Sequence, residues 1–149
     1  MEKTHKSKKV FVEGPISPDF ISKSIASHQS KTGIGAHAIF LGQIRADQKE
    51  AGVVTGIEYT AYEEMANQAF QDIREAAFAK FELTCMHIYH SLGVVPTGEI
   101  SLFVFVSSPH RRAAFEASEF VVEEIKANVP IFGKELIGEK GEYVWKENS

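Results

Sequence analysis

The chain has 149 residues, 44% of them hydrophobic and 24% charged, with a formal net charge of −4. This size and balance fit one globular domain and exclude a disordered chain, a collagen-like repeat or a mini-protein stapled by disulfides. The negative charge argues against wholesale nucleic-acid binding. No apolar run approaches the roughly 20 residues of a membrane-spanning helix, and the opening MEKTHKSKK lacks the apolar stretch of a signal peptide.

Residues 1–9 carry four lysines against one glutamate and read as a flexible basic tail, with one domain over 10–149. Val10 to Val12 reads as a short strand. Ser17 followed by Pro18 marks a helix start, serine as cap and proline in the first turn, and the helix runs to about Gln29. Gly33 to Arg45 is mostly apolar with three glycines, which predicts a buried strand. ADQKEAG (46–52) predicts a mobile loop. Val53 to Tyr62 alternates as a strand, with Val53, Thr55, Ile57, Tyr59 and Ala61 on one face. Glu63 to Phe81 places Ala66, Phe70, Ile73, Ala77 and Phe81 at helical spacing.

Thr84 to His90 predicts a strand, GVVPTG (93–98) a turn region, and Glu99 to Ser107 the clearest strand of the chain. In that strand Ile100, Leu102, Val104 and Val106 line one face and Phe103 and Phe105 the other, so both faces are expected to be covered. Ser108-Pro109 opens a second long helix, with Ala114, Ser118, Val121, Val122 and Ile125 inward, stopping before Pro130. KELIGEKGEYVW closes the chain as a hairpin around Gly138 to Gly141. Helices and strands mix without a strict βαβ alternation. The expected fold class is therefore α+β, helices packed on a largely antiparallel sheet.

The phosphate-loop, dinucleotide, nucleophile-elbow and HExxH motifs are all missing from the sequence. His87 and His90 stand three apart on a strand and point to opposite faces, which argues against a metal pair. Cys85 has no flanking lysine or arginine and reads as a structural thiol; a single cysteine also suits a reducing, cytoplasmic location. Three basic places remain. His110-Arg111-Arg112 stands where a helix begins, with free N–H groups and the positive dipole end, an arrangement suited to a phosphate or carboxylate. Arg45 ends a strand, and Lys126 lies near the end of the second long helix. Fifteen residues separate Arg111 from Lys126, about 22 Å along a helix. One small ligand can touch both only if the histidine and arginine come from a second subunit.

At these same places the sequence resembles the MoaE family, the large subunit of molybdopterin synthase. The matching stretches are IFLGQIR (39–45), YEEMA (62–66), SSPHRRAAFEASEFVVEEIKANVPIFGKE (107–135) and EYVW (142–145). The resemblance implies an α/β-hammerhead fold and a sulfurtransferase that converts cyclic pyranopterin monophosphate to the molybdopterin dithiolene. It implies a small ubiquitin-like partner as sulfur donor, through a C-terminal thiocarboxylate, and a homodimer of large subunits within a heterotetramer. No metal or organic cofactor is implied. By the same resemblance Arg45 and Phe40 meet the substrate, His110 and Arg111 bind it across the dimer, and Lys126 stands closest to the chemistry. The family has a second lysine where this chain has Gly133. Either Lys134, one position later, replaces it, which is the reading adopted, or the protein works with one lysine. The competing reading is a non-catalytic dimeric module for the small subunit, impaired by Gly133.

Overall fold

The computed structural model describes residues 9–138 and 142–146. Its elements run β1 (Phe11–Glu13), α1 (Pro18–His28), β2 (Ala36–Gln43), β3 (Gln48–Lys49), β4 (Gly52–Ala61) and α2 (Glu63–Lys80). They continue with β5 (Cys85–Pro96), β6 (Ile100–Ser108), α3 (Arg111–Asn128), β7 (Ile131–Ile137) and β8 (Glu142–Trp145). The sheet order is β2-β6-β5-β4-β7-β8, with β1 added to β5 and β3 to β4. Every pairing is antiparallel except β1 on β5. This is the expected α+β class.

The central strand β6 explains the layering. Leu102, Val104 and Val106 face Ala66, Phe70 and Ile73 of α2 and Ala117, Val121 and Ile125 of α3 in the main core. Phe103 and Phe105 face the opposite way, against Ile16 and Ile21 at the start of α1. Both phenylalanines are fully buried, which contributes about 2–3 kcal/mol each. Ser17 caps α1 as its sequence suggests, accepting from the Phe20 N–H at 3.1 Å with Pro18 in the first turn.

Several expectations need correction, each for a local reason. Gly33 to Arg45 does not form a buried strand. Its strand, β2, lies at the sheet edge, where only Ala38 is buried and Ile39 and Leu41 stay exposed. The 46–52 loop contains the two-residue β3, paired with the start of β4. In β4 the alternation reverses at an extra residue, Thr55, because Val54 pairs with Ile137 and Gly56 with Leu136. Val54 is therefore buried while Val53 is exposed, and Ile57 returns inside. The same device acts in β6: Gly42 pairs with Leu102 but Gln43 with Ile100, leaving Ser101 extra. Ile100 consequently packs with Phe103 and Phe105 rather than with Leu102.

Strand β5 runs through most of the predicted turn. Its first half pairs with β6 and its second half, Gly93 to Pro96, with β4. Gly93, at φ +80°, marks the change of partner, and the turn itself is confined to Thr97 and Gly98. On α3 the inward position is Ala117 rather than Ser118. β7 and β8 pair as the expected hairpin, with β7 beginning earlier, at Ile131. Residues 139–141 of its turn, and tail residues 1–8, lie outside the described residues.

Candidate active site

The sheet's change of partner opens a cavity of about 720 Å³ between the end of β2, the last turn of α3 and strands β4 and β7. Phe40, Arg45 and Lys126, three of the residues singled out from the sequence, line it together. The backbone ahead of Arg45 is pinned on both sides of Ile44. The Ile44 N–H donates to the Glu99 carbonyl (3.0 Å), and the Gly98 N–H donates to the Ile44 carbonyl (2.8 Å). The Arg45 guanidinium meets Asp47 through Nε (3.3 Å) and Nη2 (3.4 Å). Such an exposed pair contributes only about 0–1 kcal/mol, so an anionic ligand can take the guanidinium over at little cost.

Lys126 is half-buried in the last turn of α3. Burial pushes its ammonium below the usual lysine range, and the charge of Lys146 pushes it further, against a weaker pull from Glu123. Lys146 lies just after β8, where its N–H donates to the Gly133 carbonyl at 2.8 Å. It lines the same cavity, as do Tyr59, His90, Ser101 and Glu135. The bulged Ser101 meets the Tyr59 hydroxyl at 3.2 Å. Buried Glu135 receives Lys49 at 3.5 Å. Sequence reasoning missed Lys146, Glu135 and the role of Ser101. Periodicity carries no sign of them, since they meet only through sheet pairing and a bulge.

Lys134 is not brought into the cavity. Side chains alternate along a strand: Gly133 and Glu135 face the cavity, while the Lys134 ammonium lies over Tyr143 (4.5 Å to the ring centre) and Trp145 (5.6 Å). A side chain at 133 would press on one neighbour, Ile57, which must give by a few tenths of an ångström. A Cβ there would stand 3.0 Å from Ile57 Cγ2, 3.4 Å from Tyr59 Cε1 and 3.6 Å from Lys146 Cβ.

His110 and Arg111 line a second cavity, of about 650 Å³, with Gly35, Pro109, Arg112 and Phe115. His110 is the N-cap residue of α3 and makes no side-chain capping bond, and the first turn holds no acidic residue. The helix therefore presents its N–H groups and two exposed arginines to a cavity whose lining includes one carboxylate, Glu116. Within one chain this cavity and Lys126 stay at opposite ends of α3, as the helix length demands.

His90 is buried beside the main cavity, edge-on to Tyr59 with ring centres 4.9 Å apart. Its Nδ1–H donates to the Ser91 carbonyl at 2.8 Å. Burial lowers its pKa from 6.5 to about 4, with Lys126 adding to the fall and the Ser91 bond opposing it. The fold thus holds His90 neutral, whereas the unfolded chain takes up a proton below pH 6.5. Stability from this group is complete above pH 6.5 and falls steadily toward pH 4, by about 3 kcal/mol in all. His90→Asn keeps an N–H near the Nδ1 position and does not titrate. Denaturant unfolding at a series of pH values should show a shallower fall in that window for the variant; parallel curves would contradict this assignment.

A profile of the family described as MoaE protein matches residues 12–128. The molybdopterin synthase catalytic subunit of Pyrococcus abyssi is 37% identical over 142 residues, covering 95% of this chain and 93% of that protein. The subunit of the same name from Aspergillus fumigatus is 40% identical over 121 residues, covering 81% of this chain; the match spans 63% of that longer relative. The crystal structure of molybdopterin synthase from Staphylococcus aureus superposes with a TM-score of 0.78 at 29% identity, covering 93% of this chain and 96% of that one.

Proposed function

Because this chain belongs to the MoaE family, we propose that it is the catalytic subunit of a molybdopterin synthase. In this reading residues 10–149 act as one catalytic domain. It transfers sulfur to cyclic pyranopterin monophosphate from the C-terminal thiocarboxylate of a small ubiquitin-like partner, in the cytoplasm. No helix among the described residues is long and apolar enough to cross a membrane.

The observation that carries the proposal is the set of cations around one cavity: Arg45 at its rim, with Lys126 and Lys146 within. Thiocarboxylate, phosphate and pterin all bring negative charge, and cations in a partly desolvated site hold it more strongly than in water. Arg45 takes the substrate's anionic group in place of Asp47, and Phe40 offers an aromatic wall. Lys126 stands at the reacting carbon, where it neutralises the charge developing as sulfur attacks. Its lowered pKa also suits it to pass a proton. Lys146 supplies the second cation, which Lys134 does not. His110 and Arg111 complete the site from a second copy of the chain. The open β2 edge, with Ile39 and Leu41 outward, and exposed Phe115 beside His110 supply apolar surface for that copy.

Purified protein mixed with thiocarboxylated partner and cyclic pyranopterin monophosphate should yield molybdopterin, measured as its oxidised fluorescent derivative. No product with the partner demonstrably bound would sink the proposal and leave a binding module. Lys146→Ala should slow the reaction about 10-fold. It should also move the limb of the pH–rate profile that belongs to Lys126 to higher pH, because a neighbouring positive charge is removed. An unmoved limb would separate Lys146 from the chemistry.

A further inference from the structure

On the face of β5 turned away from the main cavity, three metal-binding side chains converge. His28, at the end of α1, and Cys85 are buried; His87 is partly so. Their ligand atoms, one from each residue, all lie within 4.8 Å of one another. The His28 Nδ1 sits 2.7 Å from the Ser24 carbonyl and must donate to it. That leaves Nε2 as the outward ring nitrogen, 2.9 Å from Nε2 of His87. An imidazole held by a backbone carbonyl through its other nitrogen is the usual support of a metal ligand. The Lys31 ammonium donates to the Cys85 sulfur at 3.0 Å. This lysine, 54 residues away in sequence, is a cationic neighbour that the residues flanking Cys85 do not announce.

We infer that His28, Cys85 and His87 bind one zinc-class divalent ion, which fastens α1 to the sheet. Two imidazole nitrogens and a thiolate suit such an ion and not calcium or magnesium. Tetrahedral zinc with the usual bond lengths needs its nitrogens about 3.3 Å apart and its sulfur about 3.5 Å from each, so the two rings part slightly and turn their lone pairs to a common point, and the sulfur, now within 4.8 Å, draws in. Binding displaces any proton on the Cys85 sulfur to solvent, and the His87 ring carries its one proton on Nδ1, so that it ligates through Nε2 as a neutral imidazole. The exposed Lys31 swings away, and a water takes the fourth position. The clip has a purpose in this fold. α1 is held by a small cluster, chiefly Ile21 with Phe103 and Phe105, whereas α2 and α3 share the main core.

The test uses untagged full-length chain, freed of metal by chelation and titrated with Co(II) as a coloured stand-in for Zn(II). One equivalent should bind, with thiolate-to-cobalt charge transfer and the strong visible bands of tetrahedral cobalt, all bleached by added Zn(II). Cys85→Ser should lose the charge-transfer band, and His87→Ala should weaken binding at least about 100-fold. Should either variant fail to fold, amide exchange on the wild type decides: Zn(II), but not Mg(II), should slow exchange across α1. Absent cobalt–thiolate bands, bands undiminished in folded Cys85→Ser, or exchange in α1 indifferent to Zn(II) would each overturn the site. None of these readouts depends on sulfur transfer, so the clip and the proposed activity stand or fall separately.

Discussion

Replacing Lys126 by alanine is expected to cut product formation at least about 100-fold while leaving capture of the thiocarboxylated partner intact. The side chain leaves the last turn of α3 into the cavity that also holds Arg45 and Lys146. In the proposed mechanism its removal takes away the cation nearest the developing charge, whereas Arg45 still holds substrate. The loss should therefore fall on kcat, with little change in KM. Stability should change little, because the ammonium is already disfavoured by burial and by Lys146. Single-turnover assays with saturating partner measure this directly. A variant that turns over at the wild-type rate would remove Lys126 from the mechanism.

Gly35→Ala is expected to be as damaging by a different route. The Gly35 N–H donates to the Ser108 carbonyl at 3.0 Å, so its backbone lies against the segment that leads into α3. A Cβ at Gly35 would fall far inside van der Waals contact of the Pro109 carbonyl oxygen. Backbone cannot rotate aside as a side chain can, so the 108–111 segment must shift. A loss of about 3 kcal/mol follows, together with a raised KM, because His110 and Arg111 move with that segment. Gly33→Ala is the matched control: nothing lies within 4 Å of its added Cβ, and no unusual φ constrains it. Equal unfolding midpoints for the two variants would show that the close approach at Gly35 is unimportant.

What the sequence revealed, and what it concealed, follows from the range of the interactions involved. Local rules placed Ser17 and Pro18 at the start of α1, and the alternation of Leu102 to Val106 declared a strand covered on both faces. One extra residue defeated the same rule twice, at Thr55 and at Ser101, because a bulge leaves no mark in composition. The apolar stretch of β2 suggested burial, but hydrophobicity does not tell an inner strand from an edge awaiting a partner. Arg45 and Lys126 were legible from their positions at element ends and from family resemblance. Gly133 raised the right question. The lysine beside it, Lys146, comes from the next strand through a backbone hydrogen bond that chain order does not announce.

Helix α3 begins at the His110–Arg111 pair and ends beside Lys126, each lining a different cavity. In the proposed dimer every working centre then draws its two halves from different polypeptides, and this has a genetic meaning. An allele damaged at Arg111 and another damaged at Lys126 are each inert alone. Expressed together they form mixed pairs, in which one centre collects both lesions and the other receives none. Two defective copies of the gene then complement each other, and whether they do depends on where along a single helix each lesion falls.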